Sequence, residues 1–177
     1  MKIAFHPIPE SERKPIPADP QKLGFCKVFT DYMFIMQYSE EEGGWHTPEI
    51  RKNAPLPLEP STIGLHYAQT IFEGLKAFRT SRGTIQLFRP EMNAKRFNRS
   101  AARLCMPAIP EYDFLESIEA LIRVEERWVP RSRGAALYVR PFMVASDTTL
   151  GVRAASNYLY MVILSPVGPY YQEGFNP

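Results

Sequence analysis

Three arginines recur at helical spacing in the segment that follows Pro90. On a helix, which turns by about 100° per residue, they fall in one narrow sector: Arg96, Arg99 and Arg103. Apolar side chains fall in another sector: Phe97, Ala101 and Leu104. Guanidinium groups can bind a phosphate through paired N–H donors, most strongly when they are partly buried. The alternative is a solvated arginine face with surface ion pairs, and spacing alone favours this alternative.

A second candidate site lies on the predicted strand Leu137-Tyr138-Val139-Arg140-Pro141. Because side chains alternate between the two faces of a strand, Tyr138 and Arg140 share one face. A phenol beside a guanidinium suits a pocket that must accept both an apolar group and a carboxylate. Pro141 indicates a strand edge or a bulge, and such irregularities often lie near a site. An ordinary amphipathic edge strand explains the same residues equally well.

The third candidate is a dense aromatic block, which consists of Gly64-Leu65-His66-Tyr67 and Phe72-Glu73-Gly74. Its aromatic side chains could line a pocket, but filling the core is the commoner role. His66 has no second His or Cys at metal-ligand spacing, so we expect no metal site. The sequence also lacks a P-loop, a GxGxxG fingerprint, a GxSxG elbow and an HExxH motif. The residues alone therefore predict an anion-binding domain with an aromatic pocket.

The 177-residue chain has the length of one globular domain, and its hydrophobic (45%) and charged (23%) fractions exclude wholesale disorder. Its net charge of +2 is too small to indicate a nucleic-acid-binding protein. Cys26 and Cys105 lack the spacing of a zinc or redox site, so we expect free, buried thiols. No apolar run approaches the roughly 20 residues of a membrane span, and the N-terminus does not fit a signal peptide. We therefore expect a cytoplasmic protein.

Proline and hydrophobic periodicity mark the elements that must position these residues. Two proline clusters predict an extended N-terminal arm and an exposed loop from 48 to 60. Aromatic and β-branched runs, with a turn at 80–83, predict strands at 29–38, 71–79, 84–88, 135–145 and 157–164. One helix is expected from Pro90 to Leu104, and a second from a capping-box-like start at Asp113 and Glu116 to Trp128. This order of elements predicts an α+β or open α/β domain.

Six segments, taken in order along the chain, resemble the N-terminal part of the branched-chain amino acid aminotransferases. They are FCKVFTDYMF (25–34), GLHYAQTIFEGLKAFR (64–79), LFRPEMNAKRFNRSAARLCMP (87–107), LYVRPF (137–142), TLGV (149–152) and LSPVGPYY (164–171). The D-amino acid aminotransferases and aminodeoxychorismate lyases share the architecture but not this whole set. The resemblance implies a fold-type IV enzyme, with the small domain of the D-amino acid aminotransferase-like fold. Its parts would be a proline-rich arm (1–24), the small α/β domain (25–168) and the start of an interdomain linker (169–177).

The resemblance also implies roles for individual residues. Arg96 corresponds to the arginine that binds the cofactor phosphate, whereas Arg99 and Arg103 stay on a solvated face. Three residues match the apolar side-chain pocket: Phe25, Phe72 and Tyr138. Arg140 matches the arginine expected to meet the distal carboxylate of glutamate or 2-oxoglutarate, so that one pocket accepts apolar and acidic side chains. The remaining matches concern a homodimer and a closing loop: Tyr67, Leu150 and Val152 reach the partner subunit's site, and Tyr170 lies in the interdomain loop.

The implied reaction moves an amino group between leucine, isoleucine or valine and 2-oxoglutarate, with pyridoxal 5′-phosphate as cofactor. The family's Schiff-base lysine is expected beyond Pro177, and the lysines present lie in segments where it does not occur. The resemblance therefore implies that this chain is inactive by itself. One alternative remains open, a non-catalytic phosphate-binding or assembly module derived from the same domain. Nucleic-acid binding by the arginine face is more remote, because that face carries no interleaved aromatic residues.

Overall fold

Two long antiparallel strands form the centre of a mixed sheet in the computed structural model, which describes residues 1–17 and 23–168. The described residues contain eight strands: β1 (Ala4–Phe5), β2 (Tyr32–Ser39), β3 (Gly44–Lys52), β4 (Thr70–Phe72), β5 (Leu75–Arg79), β6 (Ile85–Leu87), β7 (Ala136–Ala145) and β8 (Asn157–Val167). They also contain three α-helices: α1 (Ile63–Tyr67), α2 (Pro90–Arg103) and α3 (Glu111–Val124). The strand order is β1-β3-β2-β8-β7-β5-β6, and β4 pairs with β7. This arrangement confirms the expected α+β class.

The central pair, β7 and β8, is antiparallel over ten consecutive positions, from Ala136 opposite Val167 to Ala145 opposite Tyr158. Both strands were expected from their apolar runs, and both are confirmed. β8 continues three residues beyond the expected end at Leu164, because its last residues still pair with the start of β7. Along most of β7 buried residues alternate with half-buried ones, whereas β8 is buried at most of its positions.

The chain from 70 to 79 forms two strands where the sequence predicts one. β4 ends at Phe72 and β5 begins at Leu75, although both pair with β7 in one continuous register. Between them, the Glu73 N–H donates to the Pro141 carbonyl at 2.9 Å, and Pro141 has no N–H to return the bond. The expectation that Pro141 marks a strand edge is therefore wrong. β7 is an interior strand, and the missing donor of Pro141 interrupts the ladder between β4 and β5.

The predicted hairpin is confirmed by the pairing of β5 with β6. The Thr80 N–H donates to the Thr84 carbonyl at 2.8 Å and closes the turn. Gly83 adopts φ +86°, a left-handed conformation that glycine reaches without a steric penalty.

Helix α2 begins at Pro90, as expected, because the first helical turn needs no N–H from that residue. Its inward face carries Phe97 and Ala101, both fully buried. Leu104 departs from the expected apolar face. It follows the last helical residue, where its backbone leaves the helical conformation, and it is 41% exposed.

Helix α3 begins two residues earlier than expected, at Glu111. The predicted capping box is wrong, since no side chain caps this helix and Asp113 and Glu116 lie inside it. Both carboxylates instead face the Met1 ammonium group, which donates to Glu116 Oε2 at 2.6 Å. Trp128 lies beyond the helix, in the short 3-10 turn Glu126–Trp128.

The proline-rich region from 48 to 60 is only partly the loop that its composition predicts. Its first residues belong to β3, which includes Pro48. A bulge accommodates this proline, because Thr47 and Pro48 together lie opposite Met36 and Thr47 adopts φ +50°.

The predicted N-terminal arm contributes a strand near its start, where β1 joins the sheet by parallel pairing with β3. The predicted arm also includes 18–22, which lie outside the described residues.

The largest buried cluster lies between the sheet and helices α2 and α3. The Tyr160 ring packs edge-on against Phe34 and Phe97, with ring centroids 5.9 and 5.7 Å apart. Phe97 in turn contacts Phe114 of α3. The buried Tyr160 hydroxyl lies 3.0 Å from the Ser117 hydroxyl, which gives it a hydrogen-bond partner. Burial raises the pKa of Tyr160. This cluster fixes α2, the helix of the three arginines, on the sheet.

The two cysteines are free, but the expectation that both are buried is wrong. Cys26 is partly buried, whereas Cys105 is exposed. Among residues 1–17 and 23–168, no group of His, Cys, Asp and Glu side chains could hold a metal ion. None of the helices in that part of the chain is long and apolar enough to cross a membrane.

A buried carboxylate, Asp31, ties the N-terminal arm to the domain. It accepts hydrogen bonds from the Lys14 backbone N–H at 2.8 Å and the Trp128 indole N–H at 3.0 Å, and it forms an ion pair with Arg127. Burial would raise the pKa of Asp31, but these donors outweigh it and lower that pKa.

The neighbouring carboxyl group of Glu125 has a raised pKa, in contrast to Asp31. It is 1% exposed and accepts one backbone bond, from the Tyr32 N–H at 2.5 Å. Burial raises its pKa from 4.5 to about 7, and the negative charge of Asp31 adds to the shift. The folded chain therefore binds more protons at this group than the unfolded chain does between pH 4.5 and about 7.

We predict that the free energy of unfolding falls as pH rises from 4.5 to about 7, by up to about 3 kcal/mol from Glu125. Glu125→Gln keeps an oxygen that can accept the Tyr32 N–H but cannot ionise, so it should remove this loss. Urea unfolding at pH 5 and pH 8 measures the effect. The exposed Glu119→Gln is the control and should keep the wild-type pH dependence. Equal pH dependence in Glu125→Gln and wild type would contradict the prediction.

Candidate anion and substrate site

Arg96 of α2 is held side-on by a single carboxylate, that of Glu73. The Arg96 Nε donates to Glu73 Oε1 at 2.5 Å and its Nη2 donates to Oε2 at 2.7 Å. Glu73 is 5% exposed, whereas the Arg96 side chain is 56% exposed. The carboxylate is therefore buried, and the guanidinium extends from it towards the surface. Within residues 1–17 and 23–168 the hydrogen bonds of Arg96 come from its Nε edge, so the Nη1 edge stays available to an anion.

The buried carboxylate of Glu73 has further donors around it. Asn93, one turn before Arg96 on α2, donates its side-chain N–H to Glu73 Oε2 at 2.8 Å. The Gly74 backbone N–H contributes a longer bond of 3.3 Å. Burial would raise the pKa of Glu73, but the bonds from Arg96 and Asn93 and the Arg96 charge lower it below its ordinary value. Glu73 therefore remains ionised at neutral pH.

Tyr138 and Arg140 lie on one face of β7, as their alternation predicts. The Arg140 Nη2 donates to the Tyr138 hydroxyl at 2.8 Å. The guanidinium carbon lies 4.5 Å from the centre of the Phe72 ring and 5.3 Å from that of Tyr138, within the range of cation–π attraction. Phe25 packs edge-on against Tyr138, with ring centroids 5.1 Å apart. Four predicted site residues thus form one cluster of three aromatic rings around a cation, which we call the aromatic–arginine cluster.

Three consecutive residues at the break between β4 and β5 connect the two groups. Phe72 contacts Arg140, Glu73 holds Arg96, and Gly74 lies against Tyr138. A Cβ atom on Gly74 would lie 2.3 Å from the Tyr138 hydroxyl oxygen, closer than real contacts allow. Only glycine fits there without moving Tyr138.

The aromatic block is mainly at the surface, so the core role that is commoner for such residues is wrong for most of it. Its exposed members are Leu65 (61%), Tyr67 (44%) and Phe72 (62%). His66 is also exposed, and its Nε2 lies 2.8 Å from the Pro60 carbonyl oxygen, so its role in the described chain is a local contact.

A second exposed group brings together the end of α1 and the loop between β7 and β8. The Tyr67 hydroxyl donates to the Leu150 carbonyl at 2.6 Å. Leu150 and Val152 are 63% and 86% exposed. The buried Asp147 holds this loop, since its Oδ2 accepts the Ser156 backbone N–H at 2.8 Å. We call Tyr67, Leu150 and Val152 the exposed apolar edge.

The other predicted residues are not part of these groups. Arg99 and Arg103 lie on the exposed side of α2, as the solvated-face alternative requires, while Arg96 alone of the three is held by Glu73. Tyr170 lies outside the described residues.

Three site residues carry no signal that sequence spacing alone reveals: Glu73, Gly74 and Asn93. Glu73 precedes Arg96 by 23 positions, so no helical or strand periodicity connects them. One sequence signal could have indicated Glu73: in the aromatic block it is a charged residue between the aromatic Phe72 and Gly74.

Comparison with known proteins points to one family of enzymes. The chain is 52% identical over 155 residues to branched-chain-amino-acid transaminase 1 of Bacillus subtilis, covering 88% of this chain and 43% of that protein. It is 47% identical over 178 residues to a probable branched-chain-amino-acid aminotransferase of Streptomyces coelicolor, covering 100% of this chain and 48% of that protein. Nearly the whole chain is therefore similar to the N-terminal portion of branched-chain aminotransferases. It matches the N-terminal portion of these relatives and spans less than half of their length.

Solved structures support the same fold. The branched-chain amino acid aminotransferase of Escherichia coli aligns with a TM-score of 0.61 at 20% identity, over 79% of this chain and 41% of that one. The branched-chain aminotransferase of the archaeon Thermoproteus uzoniensis, solved with norvaline, aligns with a TM-score of 0.55 at 16% identity, over 77% and 41%. At this identity the likeness establishes the fold alone, which this chain shares with part of these fold-type IV aminotransferases. No protein-family model matches the chain.

Gly74→Ala should destabilise the chain by about 1–3 kcal/mol, because the new methyl group must displace the Tyr138 hydroxyl from Arg140. Chemical denaturation measures the change. Gly151→Ala is the matched control, because its Cβ would meet only the Thr149 hydroxyl at 3.4 Å, and it should change stability by less than about 0.5 kcal/mol. Wild-type stability in Gly74→Ala, with Tyr138 unmoved in a crystal structure, would contradict the close approach.

Proposed function

We propose that this chain supplies the cofactor-phosphate contact and the substrate-pocket wall of a branched-chain aminotransferase. The reaction would transfer the amino group of leucine, isoleucine or valine to 2-oxoglutarate. One observation carries the proposal: the Phe72-Glu73-Gly74 segment joins a partly exposed, oriented arginine to the aromatic–arginine cluster. A site for an anion thus adjoins a surface that is apolar and cationic together.

Pyridoxal 5′-phosphate is the cofactor we propose for this site, and Arg96 fits its phosphate. The donor chemistry agrees, because the Nη1 edge of a guanidinium presents N–H groups to phosphate oxygens and Glu73 leaves that edge unoccupied. When bound, the cofactor supplies an electron sink that lets an amino group leave an amino acid and join an oxo acid. The contribution of Arg96 is to hold the phosphate end in place.

The aromatic–arginine cluster suits two kinds of substrate side chain. Phe25, Phe72 and Tyr138 offer apolar ring surface to a branched aliphatic group. Arg140 lies against this surface, held by cation–π contacts and by one hydrogen bond that it donates to the Tyr138 hydroxyl. A carboxylate offers the guanidinium a stronger, charge-assisted bond than a phenol does. The longer acidic side chain of 2-oxoglutarate would therefore engage Arg140, while leucine would contact only the rings.

The exposed apolar edge suggests the remaining contacts. Leu150 and Val152 expose most of their apolar surface on a loop that Asp147 holds in place. Rigidly held apolar side chains at the surface are typical of a protein interface. We therefore propose that Tyr67, Leu150 and Val152 reach the site of a second copy in a homodimer.

A chimera tests the proposal, with this chain replacing the matching portion of the Bacillus subtilis transaminase 1. We predict that it forms glutamate from leucine and 2-oxoglutarate, as its parent should. In the chimera, Arg140→Leu should lower kcat/KM for 2-oxoglutarate by about 10- to 100-fold, because a charge-assisted bond is lost. It should affect leucine much less, since leucine has no distal carboxylate.

Arg99→Ala is the control for a lost positive charge and should behave like the unaltered chimera, because Arg99 lies on the exposed side of α2. A folded but inactive chimera would contradict the proposed function. An Arg140→Leu chimera that loses activity equally towards both substrates would contradict the role of Arg140.

A further inference from the structure

We propose that Glu73 is a positioning residue for the anion site: it fixes the Arg96 guanidinium so that the Nη1 edge faces a bound phosphate group. This inference rests on the proposed function, because it assigns Glu73 to the same phosphate contact. It concerns a residue that touches the arginine and not the anion.

The geometry of the ion pair supports this role. Two parallel hydrogen bonds, of 2.5 and 2.7 Å, join the Nε edge of Arg96 to both oxygens of Glu73. Because a guanidinium is planar, two bonds on one edge fix the direction of the opposite edge. An arginine held in this way loses little conformational freedom when it binds an anion.

Glu73 is itself immobile enough to orient another group. Its backbone N–H is bonded to the Pro141 carbonyl of the central strand β7, and its side chain accepts from Asn93. Asn93 and Arg96 project from the same helix, so α2 contacts Glu73 through two side chains. The carboxylate therefore connects the break in the sheet to the helix that carries the arginine.

Arg99 provides an internal comparison on the same helix. It lies three residues after Arg96 and is exposed to solvent like Arg96, but of these two arginines Glu73 bonds to Arg96. If an anion needed only positive charge, the two arginines would serve equally. The structure distinguishes them by orientation.

A positioning role for Glu73 and simple electrostatics predict opposite changes in phosphate affinity when the Glu73 charge is removed. A carboxylate beside an anion site repels the anion, so its removal should tighten phosphate binding if charge alone matters. If Glu73 positions Arg96, its removal should weaken binding, because the arginine must then be ordered by the anion itself. Glu73→Gln removes the charge and places an amide N–H₂ group against an arginine donor, which breaks the paired bonds.

The test is a titration of the full 177-residue chain with inorganic phosphate at constant ionic strength, followed by NMR of the arginine Nε–H groups. We expect the wild type to bind through Arg96, so that Arg96→Ala abolishes the response. Glu73→Gln should bind about three- to tenfold more weakly, as expected for an arginine that is no longer ordered in advance. Glu119→Gln, which removes an exposed charge on α3, should bind like wild type.

The wild-type spectrum before phosphate is added gives a readout that needs no variant at Glu73. The Arg96 Nε–H should exchange with water at least about tenfold more slowly than the Arg99 Nε–H, because only the first is bonded to a carboxylate. Equal exchange rates would overturn the inference, whether or not Glu73→Gln folds.

The outcomes separate the inference from the proposed function. Unchanged or tighter phosphate binding in Glu73→Gln, with binding still lost in Arg96→Ala, would overturn the positioning role and leave the phosphate contact standing. Wild-type chain that binds no phosphate, or an Arg96→Ala variant that binds like wild type, would overturn both.

Discussion

Pro141 has no N–H to donate, yet it lies in the middle of β7, an interior strand that pairs with β8 on one side and with β4 and β5 on the other. Its partner across the ladder is Glu73, which gives one hydrogen bond and receives none back from Pro141. The strand on that side breaks into β4 and β5, and the break contains Glu73 and Gly74 of the candidate site. At this break the Glu73 carboxylate bonds to Arg96 and Asn93 of α2.

The buried carboxylates of this domain follow one electrostatic principle. Glu73, Asp31 and Asp147 are all poorly exposed, and each accepts several hydrogen bonds that include an arginine, so each keeps a lowered pKa. Glu125 accepts hydrogen bonds from the Tyr32 backbone and the Thr30 side chain but from no arginine within the described residues, and burial together with the Asp31 charge raises its pKa to about 7. A bonded arginine therefore distinguishes the carboxylates with a lowered pKa from Glu125. At the candidate site the balance favours the ion pair, which keeps Arg96 charged and oriented.

The elements that follow from local sequence were largely predictable. The start of α2 at Pro90, the hairpin at Gly83 and the shared face of Tyr138 and Arg140 depend on backbone geometry and periodicity within a few residues. The resemblance to a known family supplied the choice of Arg96 among three arginines that spacing treats alike. Features that depend on distant partners were not predictable in this way. The course of β3 through Pro48 requires a bulge opposite β2, and the pairing of Glu73 with Arg96 spans 23 positions and two kinds of element. Such contacts are decided by packing and by the hydrogen bonds that burial demands, and neither is encoded in a local pattern.

The central claim is that Arg96 binds an anion on one edge while Glu73 holds the other edge. A crystal structure of the chain with pyridoxal 5′-phosphate tests it most directly. The account predicts the phosphate group on the Nη1 edge of Arg96, with both hydrogen bonds to Glu73 retained. A phosphate group that displaces Glu73 from the Nε edge, or that lies elsewhere on the chain, would contradict the account.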